Sequence, residues 1–525
     1  MTSEKKIGFP GVLNALVFFV FFSVLLLIAG CDAGSLTEGH GRPGLTEEAI
    51  PNDAGGNGAA NGAANGGAPN DLADEQSDDM NGETSGRAWF QLSPDDSTSM
   101  ATAQLLKLDH AVYGMTLYPH EVVNYYDPPA SYRASEHFSR NWETEDDIFV
   151  GVQAAMANET QMDVLVHIFA PQVPVAQRTP WNLHLCVDVS GSMYGDRLVY
   201  TKEAMKMLVN AMRTGDRLSL TVFNSTGRLE LESTAYSSAG KAEMIAAIDG
   251  LNATGGTNMK AGLDIAYAQA QGNYDSNMLN RVILFSDGDA NVGETDYEAI
   301  ADFTRMNNAE GIYLSGVGVG SNYAMGRMDA LTDAGKGAHV FLPNAAEVEI
   351  VFGPMLRKMI EVAADDISIE VELPAGFSLA SFSGEEVSTN PEERVQNVVL
   401  AAGDDMTIFA TFEAQSAELF AGESMEFTFR YRPLSTGQET VFQQEIAFDD
   451  LIADESGLFM ERTRLINEYG TGAIERLVKQ SDWYFGGEMD GIDADLTALL
   501  NRVEAFEPQD PGLEEIAGLL RGWGF

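Results

Sequence analysis

The chain has 525 residues, more than one hydrophobic core usually supports, so two to four domains are expected. Apolar residues make up 45% of it, enough for sizeable cores. Acidic residues outnumber basic ones 79 to 31, a formal net charge of -48. That balance excludes a nucleic-acid binder, because such affinity rests on Lys and Arg neutralising phosphates. It also favours solubility and repels anionic lipid headgroups.

Taken in chain order, the first feature is an export signal. Lys5 and Lys6 precede an apolar run over 12–29. The run ends Leu27-Ile28-Ala29-Gly30-Cys31, which resembles the lipobox of bacterial lipoproteins. That resemblance implies a signal peptide over 1–30, acylation of Cys31, and a lipid anchor outside the cytoplasmic membrane, in the periplasm or at the cell surface. An uncleaved apolar anchor would place the chain on the same side. Residues 31–87 are Gly, Asn, Ala and acid, too poor in apolar groups to offset ordering entropy, and read as a flexible tether. Cys31 and Cys186 are the only cysteines, so lipidation of the first leaves no intrachain disulfide. Cys186 lies in an apolar run and reads as a small buried hydrophobe.

Residues 88–180 form an N-terminal α+β region, with a helix over 102–113, a short element over 117–126, and strands over 148–154 and 162–169. From 181 to 365 near-continuous apolar strands alternate with amphipathic helices. That pattern predicts an α/β domain with a doubly wound, mainly parallel, Rossmann-like sheet covered on both faces. Its last helix is expected over 345–364. Over 366–450 the period becomes two: Ile367, Ile369, Val371 and Leu373 share one face, as do Met425, Phe427, Phe429 and Tyr431. This predicts an antiparallel β-sandwich module, joined with the strands before the central domain. Residues 451–525 read as a helical C-terminus, with Asp510-Pro511 marking a break before the final helix.

Ligands of open parallel sheets sit beyond the carboxyl ends of the strands, where strand order reverses. The first central strand runs into Asp188-Val189-Ser190-Gly191-Ser192, a loop supplying one carboxylate and two hydroxyls. These are hard oxygens suited to Mg²⁺ or Ca²⁺. Gly255-Gly256-Thr257-Asn258 offers a further hydroxyl before a helix, and Phe285-Ser286-Asp287-Gly288-Asp289 a second carboxylate at a strand end. The set resembles the metal-ion-dependent adhesion site of von Willebrand factor type A (VWA) domains. By that resemblance Asp188, Ser190, Ser192, Thr257 and Asp287 hold a divalent cation, Mg²⁺ foremost, with Ca²⁺ or Mn²⁺ as alternatives. Two carboxylates leave a dication electrophilic, so a Glu or Asp from a protein partner completes its coordination.

The flanking runs, Pro180-Trp181-Asn182-Leu183 and Gly316-Val317-Gly318-Val319-Gly320 among them, are similar to bacterial VWA lipoproteins, some labelled calcium-activated chloride channel-like. The resemblance extends over roughly 94–386 and implies a tethered receptor or adhesin. It also implies that site occupation is coupled to movement of the helix at 345–364. The alternative is a non-catalytic scaffold of an envelope complex whose metal mainly stabilises the fold. An enzyme is not expected, since no nucleophile–base pair, phosphate-binding loop or nucleophile elbow is visible.

Rival patterns are weaker. His120-Glu121-Val122-Val123-Asn124 lacks the second His of a zinc protease helix and reads as helix surface. Asp287, Asp289, Asn291 and Glu298 mimic calcium-loop spacing, but Val292 stands where that loop needs Gly. Gly316, Gly318 and Gly320 suggest strand-end turns rather than a dinucleotide fingerprint. His184 alternates with Leu183 and Leu185 and reads as a hydrogen-bonded core residue.

Overall fold

A computed structural model describes residues 87–525, apart from 94–98, 108–116, 127, 129–139, 145–146, 289, 309–310, 321–324, 385, 392–394, 396–397, 453–456, 484–489 and 507–508. The signal segment 1–30, Cys31, the tether up to residue 86, and Asp289 lie outside the described residues. Among the described residues no helix is long and apolar enough to cross a membrane.

The central domain is built on six strands: β1 (Trp181–Asp188), β2 (Arg217–Phe223), β3 (Gly227–Ala235), β4 (Leu279–Ser286), β5 (Tyr313–Val319) and β6 (His339–Leu342). They are ordered β6-β5-β4-β1-β2-β3, and all neighbours are parallel except the edge pair β2–β3. Every residue of β1 and β4 is buried, the consequence of helices on both faces. Leu183, Leu185 and Val187 point into one core with helices α1 (Asp196–Ala211) and α2 (Ser238–Asp249). Cys186, fully buried, points into the other, against α3 (Met259–Gly272), α4 (Tyr297–Asn308) and α5 (Met325–Gly335). Each such buried aliphatic side chain is worth about 1.5–3 kcal/mol. Strand order reverses between β1 and β4, so a crevice opens beyond Asp188 and Ser286, their last residues.

The expected single helix over 345–364 is instead two short ones, α6 (Ala345–Val351) and α7 (Leu356–Ile360), followed by a strand from Val362. The cause is Gly353-Pro354: proline removes a backbone donor and bars helical geometry at the residue before it. Ala101–Leu106 is helical within the expected 102–113, while 108–116 lie outside the described residues.

Two antiparallel sheets are shared by chain before and after the central domain. Arg87–Ser93 pairs with Val362–Pro374, which pairs with Ser424–Pro433, whose other neighbour is Thr440–Ala447. In the second sheet Asp405–Ala414 lies beside Gln161–Phe169, setting Met406 opposite Ile168 and Ile408 opposite Val166. Their apolar faces enclose one core, including Phe90, Val166, Ile369, Ile408, Phe427 and Phe429. The central domain therefore leaves and rejoins a continuous sandwich.

Three helices close the chain: Leu458–Trp483, Asp490–Ala505 and Pro511–Trp523. Asp510 caps the last, accepting from the Gly512 and Leu513 amides at 2.9 and 3.0 Å, and Pro511 occupies its first turn. The same carboxylate pairs with buried Arg462 at 2.6 Å. Leu465, Tyr469 and Leu477 lie in the same core as α3, α4 and α5, together with Val122 of the helix Pro119–Tyr125. That short helix is not a surface one as expected. His120 and Glu121 are fully buried, Glu121 accepts from the Thr102 amide at 2.7 Å, and Asn124 accepts from the Thr407 amide at 3.0 Å. The C-terminal helices cover it, which its own sequence does not announce.

Candidate functional site

The crevice beyond β1 and β4 is lined by three loops. Asp188 ends β1 and is fully buried. Its Oδ1 accepts from the Ser190 amide and its Oδ2 from the Ser286 hydroxyl, each at 2.8 Å. The next residues curl into a 3₁₀ turn, Gly191–Met193, pinned from below by the fully buried Met193. This turn brings the hydroxyl oxygens of Ser190 and Ser192 to 3.0 Å from each other. Ser192 in turn donates to Asp287 Oδ1 at 2.9 Å. Four of the five sequence-predicted residues thus form one connected group of oxygens.

Thr257 reaches the crevice on the second loop, which is fastened to the first. The Gly191 amide donates to the Gly255 carbonyl at 2.9 Å, and the Thr254 amide to the Val189 carbonyl at 2.7 Å. Thr257 is buried, and its amide donates to Asn291 Oδ1 at 2.9 Å. The glycines before it are sterically required: Gly255 has φ +85°, and a Cβ on Gly256 would stand 2.8 Å from the Val292 side chain. Asn258 then caps α3, accepting from the Ala261 amide at 3.2 Å.

Three participants went unassigned in the sequence reading. Ser286 and Asn291 hold ligand-set residues in place through hydrogen bonds. Arg197, in the first turn of α1, donates from Nη1 to Asp287 Oδ2 at 2.5 Å and to the Ser192 carbonyl at 3.0 Å. A cation at a helix N-terminus opposes the helix dipole, and that was the available signal.

Charge balance here is unusual for buried carboxylates. Burial above all, and then the neighbouring Asp287 charge, push the Asp188 carboxyl up to about 6, against the downward pull of Ser190 and Ser286. The donor set suits a hard dication: two carboxylates and the hydroxyls of Ser190, Ser192 and Thr257, with no thiol or imidazole. Among the described residues no three His, Cys, Asp or Glu side chains gather as a metal cluster. Other sequence signals lie away from this donor set, and His184 is the hydrogen-bonded core residue expected. His184 is buried in β1, its Nδ1 lies 2.8 Å from the Ser219 hydroxyl, and burial lowers it to about 3, leaving it neutral. Of the three glycines expected in strand-end turns only Gly320 makes one, at φ +82°; Gly316 and Gly318 lie within β5, where a Cβ on Gly316 would strike Met328 and Thr332 of α5.

Residues 182–350 match the family model of the von Willebrand factor type A domain, and the central domain is a VWA domain. The chain is 30% identical over 295 residues to the uncharacterized protein YfbK of Escherichia coli (strain K12), an alignment covering 53% of this chain and 51% of that one. It is 34% identical over 163 residues to inter-alpha-trypsin inhibitor heavy chain H2 of Sus scrofa, covering 30% of this chain and 17% of that protein. The chain thus spans about half the length of the bacterial relative and a smaller share of the mammalian one. Among solved structures, a von Willebrand factor type A protein from Catenulispora acidiphila superposes with a TM-score of 0.51 at 16% identity. It covers 73% of this chain and 91% of that structure, so the shared fold extends beyond the VWA domain.

Proposed function

We propose that this protein is a non-catalytic, lipid-anchored envelope protein that binds a protein partner through a divalent cation held at the VWA crevice. Asp188, Ser190, Ser192, Thr257 and Asp287 are the ligand set, Mg²⁺ is the preferred ion, and a Glu or Asp of the partner supplies the remaining ligand. The observation that carries this reading is the connected oxygen cluster of Asp188, Ser190, Ser192 and Asp287 at the topological switch point. A bound dication supplies an electrophilic position facing solvent, where a partner carboxylate replaces water. Beside it Tyr194 stands 83% exposed, a large aromatic group placed to pack against the docked partner. Acylation of Cys31, implied by the lipobox, anchors the chain outside the cytoplasmic membrane, and residues 31–87 give the folded part its reach.

The scaffold alternative needs the metal to hold the fold together. Both oxygens of Asp188 and both of Asp287 already accept hydrogen bonds from within the chain, so the crevice is satisfied by its own donors. The deciding experiment titrates Mg²⁺, Mn²⁺ and Ca²⁺ calorimetrically into the full chain and its Asp188→Ala variant. Saturable binding by the wild type, lost in the variant, is expected. Binding should also raise stability by about 2.7 kcal/mol at a hundredfold excess over Kd. No binding to the wild type would sink the reading.

A further inference from the structure

Arg197 occupies a position that its local environment does not favour. It lies in the first turn of α1, where the helix dipole presents positive charge. Its side chain crosses the turn after β5, where a Cβ on Gly320 would stand within contact of the Arg197 side chain, so a glycine leaves the slot it lies in. From that slot Nη1 reaches both Asp287 Oδ2 and the Ser192 carbonyl. The Asp287 side chain is fully buried, whereas that of Arg197 is 28% exposed. One partner of the pair is fixed and the other has a path to solvent.

Asp287 therefore spends one oxygen on Ser192 and the other on Arg197. A cation approaching the crevice meets a carboxylate that is already neutralised and a hydroxyl that is already donating. A donating hydroxyl keeps its oxygen lone pairs for a cation, so the obstacle is the guanidinium, whose positive charge offsets that of Asp287 while the contact lasts.

We infer that Arg197 is an internal counter-cation that competes with the divalent ion for Asp287 and sets the metal affinity of the crevice. The inference rests on the metal-dependent reading above and deepens it. Arg197 acts through Asp287 and is a positioning residue, neither a ligand nor a catalytic group. Swung outward along its own stem, it leaves Asp287 as a free carboxylate.

The test is calorimetric titration of Mg²⁺ into the full chain as wild type, Arg197→Met and Arg197→Lys. Methionine keeps part of the apolar stem and removes the charge; lysine keeps the charge. Competition predicts that Arg197→Met binds about tenfold or more tightly than wild type, as expected when a neighbouring positive charge is removed. Arg197→Lys should stay within about threefold of wild type, since it retains that charge. Equal or weaker binding by Arg197→Met would mean that Arg197 merely holds Asp287 in place, and would overturn the inference while leaving the site intact. Absence of binding in all three would sink the metal reading and this inference together. A second measurement, on the wild type, does not depend on any variant folding. Phenylglyoxal labelling of Arg197, read by peptide mass, should accelerate when Mg²⁺ saturates the protein, and an unchanged rate would overturn the competition.

Discussion

The two ends of the strands in the central sheet use the same residue type, aspartate, to opposite purposes. Where the strands begin, carboxylates meet matched cations. Buried Asp216 takes a two-pronged bond from buried Arg178, at 3.0 and 2.5 Å, and Arg178 lies 3.7 Å over the Trp181 ring. Asp365, at the exit from the domain, accepts from Arg432 at 2.7 Å on each oxygen and from the Tyr313 hydroxyl at 2.7 Å. Burial pushes the Asp365 carboxyl up, but Arg432 and Tyr313 outweigh it and hold it below its ordinary range. Where the strands end, Asp188 has only neutral donors beside a second carboxylate, and sits raised. A carboxylate with its own guanidinium is structural cement, whereas two buried carboxylates with a single guanidinium between them leave negative charge unmatched.

That contrast is most severely tested where the strands begin. Arg178→Met leaves Asp216 buried without its counter-charge and should cost about 3–5 kcal/mol in urea unfolding, with Mg²⁺ affinity of the folded protein unchanged. A loss below about 1 kcal/mol would erase the distinction between the ends. Where the strands end the sign reverses. The raised carboxyl of Asp188 represents roughly 3 kcal/mol of unfavourable ionisation at neutral pH, at about 1.36 kcal/mol per unit. Asp188→Asn should therefore unfold in chelator at no lower urea than wild type, yet lose saturable Mg²⁺ binding. A clearly less stable variant would show Asp188 to be part of the structural cement as well.

Acid sharpens the comparison further. A carboxyl whose folded pKa is depressed stabilises the fold fully above its unfolded value and loses that contribution as pH falls through the folded one. Asp365→Asn should cost about 1–2 kcal/mol at pH 6, a modest figure because Arg432 is partly solvated, and the difference from wild type should shrink as acid protonates the lowered Asp365 carboxyl. A pH-independent difference would assign the effect to packing instead. The smallest expected change in stability belongs to Tyr194→Ala, within about 0.5 kcal/mol of wild type for so exposed a side chain. The same variant should weaken capture of a partner from envelope extracts by about tenfold or more if Tyr194 anchors the docking face. Unchanged capture would remove it from that face.

Much of the α/β architecture was legible because its signals are local. Near-continuous apolar strands such as 183–187 and 281–285 announce a covered sheet, and Asp and Ser following a strand announce a loop at its carboxyl end. The split of the last helix was also written in Gly353-Pro354, but the apolar period across it masked the break. The burial of His120 and Glu121 was not legible at all, since the helices that cover them begin more than 300 residues later.

Sequence alone determined which strands alternate with helices, where the sandwich period of two takes over, and which oxygen-bearing residues follow the strands that end at Asp188 and Ser286, because these depend on side chains a few positions apart; Thr257 lies instead between two helices. The sequence also joined the strands on either side of the VWA domain in one β module, but only the tertiary structure decided how they pair and divide between two sheets. The tertiary structure also set Ser192 against Asp287 and placed Arg197 across Gly320 onto that same carboxylate. Those pairings join residues about 90 to 290 positions apart, and chain separation of that size is closed by packing, not by local propensity.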